Sequence, residues 1–195
     1  MAENLERRNR ILQAARDIFA REGFRDAEVK TIAKQAGVGK ATIYKHFESK
    51  DDILLKIVEE NFHALRNIAL QHLVGGGHPF DRLEKTCLAM ARFLSSNKAF
   101  STVLIKEAGE FMPQIQKLHR TVVEENARFA DAFFDALKEQ QLIPDIPNQT
   151  VLELLMNLTI GTIYAWTLSE DRDLVADVQN LFDLWRQQLD KKNGA

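Results

Sequence analysis

Apolar residues along this chain recur every three or four positions almost from end to end, and no segment alternates with period two. Ile11, Leu12, Ala15, Ile18 and Phe19 trace one helical stripe, and Gly23 stands where that helix should stop. Val29, Ile32, Ala33 and Ala36 mark a second, short helix, with Asp26 placed to cap it and Gly37 to end it. A third runs from about Gly39 to His46. Ser49 caps a long fourth helix, with Asp51 and Asp52 in its first turn, where the helix dipole favours negative charge. Its stripe is Leu54, Ile57, Val58, Phe62, Leu65 and Ala69, and GGGHP at 75–79 stops it. Pro79 suits the first turn of a fifth helix. A shorter helix follows over about 98–108, and Pro113 opens a long one through about Glu139. LIPDIP at 142–147 breaks it, and two last helices span about 148–168 and 173–190. The pattern predicts an all-α protein of about nine helices.

Composition narrows the class. The 195 residues are 45% hydrophobic and 28% charged, as in an ordinary globular protein. The first ten residues, MAENLERRNR, lack the apolar stretch of a signal peptide. The most apolar window, 151–168, contains Glu153, Asn157, Thr159 and Thr162 and makes a poor membrane span. One cysteine, Cys87, forms neither an intramolecular disulfide nor a thiolate-rich metal site. The expected setting is the cytoplasm, with no membrane partner. The net charge of −2 hides an asymmetry: residues 1–50 carry eleven Lys/Arg against seven Asp/Glu, and the remainder fifteen against twenty-one. A basic head on an acidic body suggests that the head meets a polyanion.

The stretch AGVGKATIYKHF at 36–47 supplies the chemistry. Ala33 is small where two helices of a helix-turn-helix cross closely, and Gly37 provides a left-handed turn residue. Ile32, Ala36, Val38 and Ile43 make the apolar seam between them, and Gly39 sits at the cap of the second. With its flanks, ILQAARDIFAREGF and IAKQAGVGKATIYKHFESKDDIL, this region resembles the tetracycline-repressor (TetR) family of transcription regulators. The resemblance covers about residues 5–66 and rests on G-F, I-A, A-G-V, I-Y-x-H-F and S-K at fixed offsets.

The resemblance implies a helix-turn-helix DNA-binding domain over 1–48, then a ligand-binding and dimerisation domain over 49–195. Residues 39–46 would be the recognition helix in the major groove. Gly39, Lys40, Ala41 and Thr42 would start it, with Lys40 suited to guanine acceptors and Ala41 and Thr42 to thymine methyls. Tyr44, Lys45 and His46 would contact or flank phosphates, Lys50 would clamp the backbone, and Lys30 would lie near bases or phosphates. Phe47 reads as a core plug. One departure stands out: family members commonly place a Thr pair before the second helix, where this chain has Ala27 and Glu28, and Glu28 would repel phosphate.

In the body, Phe93, Phe111, Phe129, Phe133, Met156 and Trp166 are candidates to line a pocket for an apolar or flat aromatic effector, although aromatic residues at helical spacing are also ordinary core. The 148–168 helix is apolar nearly all round, so a second buried side is expected. Leu154, Leu158 and Leu168, with Leu181 and Trp185 from the last helix, are the expected homodimer interface. Glu60 and His63 make a single Glu-x-x-His with no second copy, Cys87 reads as core filler, and His72, His78 and His119 show no ligand spacing. No enzyme, metal or cofactor is expected. The expected function is a ligand-responsive repressor that binds a palindromic operator as a homodimer; the alternative is a helical ligand-binding or adaptor protein without DNA binding.

Overall fold

The structure, a computed structural model, describes residues 2–97, 100–101, 108–124, 127–169 and 171–193. Among these residues it consists of α1 (Ala2–Glu22), α2 (Val29–Ala36), α3 (Lys40–His46), α4 (Lys50–Leu73), α5 (Pro79–Ser96), α6 (Ala108–Glu124), α7 (Ala127–Glu139), α8 (Asn148–Thr167) and α9 (Leu174–Asn193), with no strand. The chain is all-α, as its periodicity requires.

The chain forms two compact units, Met1–His63 with Asn97–Arg120, and Ala64–Ser96 with Thr121–Ala195. These units divide the chain within α4, at 63/64, whereas the expected domain boundary lies at 48/49. The first unit takes in the N-terminal half of α4 because Ile53, Leu54 and Ile57 are buried in the same core as Ile11, Leu12, Ala15 and Ile18 of α1. That core also takes Ile32, Ala33 and Ala36 of α2, Ile43 of α3, and Phe47, buried as expected. Each fully buried leucine or isoleucine side chain here contributes about 1.5–3 kcal/mol relative to exposure.

The caps explain why these short helices end where they do. Gly23 adopts φ 82° and its N–H donates to the Phe19 carbonyl oxygen at 3.0 Å. Helix α2 starts after Glu28, whose backbone is extended and whose side chain makes no cap bond. Asp26 is exposed and does not cap α2, which corrects that expectation. Ser49 does cap α4: its Oγ accepts the Asp52 N–H at 3.0 Å, while Asp52 Oδ2 accepts the Glu48 N–H at 3.0 Å.

The second unit is organised on Phe80 and Leu83 of α5, Phe133, Phe134 and Leu137 of α7, Val151 of α8 and Phe182 of α9. Pro79 opens α5 as expected. Pro113 does not open its helix; it lies inside α6, which is already under way at Ala108. Residues 125 and 126, through which the expected 113–139 helix would run, lie outside the described residues, as does most of the expected 98–108 helix.

Candidate nucleic-acid interface

Helices α2 and α3 meet through a turn whose backbone only glycine adopts cheaply. Gly37 sits at φ 66° and ψ 36°, the left-handed region. This lets its N–H donate to the Lys34 carbonyl oxygen at 3.3 Å and the Val38 N–H to that of Ala33 at 3.0 Å. Paired bonds of this kind satisfy the last carbonyls of a helix. Gly39, at φ −75° and ψ 150°, is the N-cap of α3 and has no side chain with which to cap it.

Ile43 is the one buried residue of α3, and it anchors the helix to the core of the first unit. Lys40, Ala41, Tyr44 and Lys45 are exposed, while Thr42 and His46 are half-buried. Lys40 Nζ lies 5.8 Å from the centre of the Tyr44 ring, one turn along. The helix thus shows solvent a face carrying two ammonium groups, a phenol and a methyl. Such a face can donate to guanine acceptors and phosphate oxygens and touch thymine methyls.

Two of the expected contact residues are differently employed. Lys50 is half-buried, and Nζ donates to the carbonyl oxygens of Phe24, Arg25 and Ala27 at 2.8, 3.0 and 3.0 Å. An ammonium has three N–H bonds, so all of its donors are used within the chain. In this structure Lys50 staples the α1–α2 loop, and the backbone-clamp role expected for it stands as a proposal. Lys30 is exposed, but its Nζ lies 2.7 Å from Glu28 Oε2. That hydrogen bond, with the charge of Glu28, pushes the Lys30 ammonium above its ordinary pKa.

The same unit contains an ion-pair cluster that spacing could not reveal. Glu60 of α4 accepts from Arg8 of α1 at 3.0 Å and also pairs with Arg16 of α1. A one-dimensional scan saw Glu60 only as half of Glu-x-x-His; its partners are about fifty residues away in sequence.

The expected pocket residues differ in burial and in the unit they belong to. Phe111 is buried in the first unit, where its ring packs edge-on against Phe24 with centroids 5.5 Å apart. Phe129 is 53% exposed. One is thus core of the first unit and the other surface of the second. Phe133 and Trp166 are buried and Phe93 is half-buried, while the Met156 side chain lies outside the described residues. Arg82, which sequence reading passed over, places its guanidinium 5.3 Å from the centre of the Phe133 ring.

Of the expected interface residues, Leu154, Leu158, Leu168 and Leu181 are all exposed on the second unit. Trp185 is not: it is half-buried, 5.1 Å from Phe80 and 5.9 Å from Phe182 between ring centroids. Its neighbour Leu184 is exposed instead, as is Tyr164. Residues 184 and 185 both follow Leu181 at helical spacing, and nothing in that spacing says which turns outward.

Cys87 is half-buried, and burial pushes its thiol up to about 11. No helix among the described residues is long and apolar enough to cross a membrane.

Residues 11–57 match the model of a bacterial family described as regulatory proteins of the tetR family. The chain is 29% identical over 161 residues to the HTH-type transcriptional regulator UidR of Escherichia coli (strain K12), covering 80% of this chain and 79% of that one. Its fold superimposes on that of the fatty acid degradation regulator FadR from Bacillus halodurans with a TM-score of 0.78, at 19% identity, covering 92% of this chain and 94% of that one. The transcriptional regulator FadR from Bacillus subtilis, solved in complex with stearoyl-CoA, superimposes with a TM-score of 0.76 at 19% identity, over 90% of this chain and 96% of that one.

Proposed function

We propose that this chain, a member of the tetR family of bacterial regulatory proteins, is a repressor that binds a palindromic operator as a homodimer and is released by an apolar small-molecule effector. The observation that carries the reading is the exposed face of α3, with Lys40, Ala41, Tyr44 and Lys45 presented by a helix-turn-helix whose Gly37 turn is fully hydrogen-bonded. In such a unit the second helix enters the major groove and its N-terminal residues meet base edges. Thr42 and His46 would flank these contacts. Two copies related by a two-fold axis would read a two-fold symmetric site.

The homodimer reading is supported by the exposed apolar side chains of Leu154 and Leu158 on α8, of Leu168 at its C-cap, and of Leu181 and Leu184 on α9. Exposed apolar surface of this kind on a soluble chain marks an interaction site. The effector reading is supported by the apolar and aromatic side chains that the second unit buries, Phe133 and Trp166 among them. Because one fold neighbour carries stearoyl-CoA, a long-chain acyl thioester is the first probe to try.

The test is binding to the DNA upstream of the chain's own gene across a range of salt. The log–log slope should be about −0.9 per neutralised phosphate; a slope near zero removes DNA from the partners. Effector coupling is tested by titrating the acyl thioester with and without operator. A ligand that releases DNA binds more weakly when DNA is present, by the same factor by which it weakens DNA. Equal affinities in the two titrations would exclude it as the effector.

A further inference from the structure

We propose that Glu28 attenuates DNA affinity by holding Lys30 away from the phosphate backbone, an inference that rests on the DNA-binding reading above. Positions 27 and 28 play separate parts. Ala27 is buried in the core of the first unit, and its carbonyl oxygen is held by Lys50 Nζ at 3.0 Å. This fixes the backbone at the start of α2 and leaves Glu28 as its exposed N-cap. The Glu28 carboxylate makes no bond to the helix N–H groups. It goes to Lys30 instead, at 2.7 Å, and both side chains stay well exposed.

The helix preceding the recognition helix crosses the sugar–phosphate backbone. A lysine there would ordinarily take a phosphate oxygen as its partner. Here a carboxylate already fills that place on the same surface. An exposed pair of this kind is worth little by itself, so DNA could in principle draw Lys30 away. Doing so leaves the Glu28 carboxylate bare beside a polyanion, and that cost offsets the new contact. The pair therefore acts as an internal substitute for phosphate, and it lowers affinity for every DNA sequence alike.

The experiment measures affinity for the operator and for an unrelated duplex with four proteins: wild type, Glu28→Gln, Lys30→Gln and the double variant. Glu28→Gln should bind both duplexes more tightly, with a salt slope steeper by about 0.9 for each head that gains a phosphate contact. Its advantage should then shrink by about 3.5-fold per head between 50 and 200 mM salt. Lys30→Gln should leave the slope unchanged in the wild-type background and remove the extra slope in the Glu28→Gln background. Both side chains are exposed, so thermal midpoints should match wild type and keep the comparison free of unfolding.

Identical slopes for Glu28→Gln and wild type would overturn the proposal. So would a Lys30→Gln effect of equal size in both backgrounds, since Lys30 would then already be on phosphate. A change confined to one cytosine position would also overturn it, because Glu28 would then be accepting a hydrogen bond from that base. If wild type and all variants bind neither duplex at any salt, the DNA-binding reading fails and takes this proposal with it.

Discussion

Lys50 Nζ donates to the Phe24 carbonyl oxygen at 2.8 Å and lies 4.6 Å from the centre of the Phe24 ring. One side chain thus ties the start of α4 to the loop between α1 and α2, through hydrogen bonds and through the ring's negative face. Lys50→Met keeps the apolar stem and removes every donor. It should destabilise the first unit by about 1–3 kcal/mol, the cost of leaving partly buried carbonyl groups unpaired. Urea unfolding measures this, and DNA affinity should fall only as far as the loop loosens. An unchanged unfolding midpoint together with a large loss of DNA affinity would return Lys50 to the role of phosphate clamp.

Gly37 and Gly39 differ by two positions, but they call for opposite substitutions. Gly37 sits at φ 66°, so Gly37→Ala should cost about 1–2 kcal/mol in backbone strain. Gly39 sits at φ −75°, and an added Cβ would come no closer to a neighbour than 3.9 Å, to Thr42 Oγ1. Gly39→Ser should supply the missing cap and stabilise by a few tenths of a kcal/mol. Thermal midpoints of the two variants should therefore move in opposite directions. A rise for both would mean that the turn at Gly37 is not left-handed in solution.

Leu184 and Trp185 are adjacent on α9 and should fail differently. Leu184→Glu, like Leu158→Glu, places a charge on exposed apolar surface and should dissociate the proposed homodimer with little effect on the fold of each subunit. Trp185→Ala removes a half-buried ring packed against both Phe80 and Phe182 and should lower subunit stability by about 2–3 kcal/mol, somewhat less than for a fully buried aromatic. Light scattering reads the first effect and chemical denaturation the second. A Leu158→Glu protein that remains a dimer would move the interface elsewhere.

Cys87 supplies a pH-dependent check. Burial raises its thiol from an ordinary 9.0 to about 11. The native thiol stays neutral at pH 8 and should react with a disulfide reagent only slowly until the protein is unfolded. The sign of the stability effect follows from the raised value. Stabilisation is fully present below the unfolded pKa and is lost as pH rises from about 9 through 11, because only the unfolded chain then releases the proton freely. Fast labelling of native protein at pH 8 would contradict the burial.

Much of this was legible from the sequence alone. The helix stripes, the glycine turn after Ala36, the Ser49 cap, the buried Ile43 and Phe47 and the all-α class all follow from local periodicity and backbone preference. These depend on residues within a few positions of each other, which a one-dimensional reading sees directly. What that reading left open was decided by segments that meet only on folding. Lys50 finds carbonyl oxygens some twenty-five residues upstream, and Glu60 finds Arg8 and Arg16 across a still longer gap. Phe111 joins the core of the first unit, although its aromatic character fitted a pocket elsewhere equally well. Leu184 turns outward while Trp185 turns inward, where the spacing allowed either. Hydrophobic burial is non-directional, so a pattern announces that an apolar side chain will be covered and leaves its neighbours unnamed. A lysine's donors are equally indifferent between a phosphate and a carbonyl oxygen, and the tertiary fold brought the carbonyls.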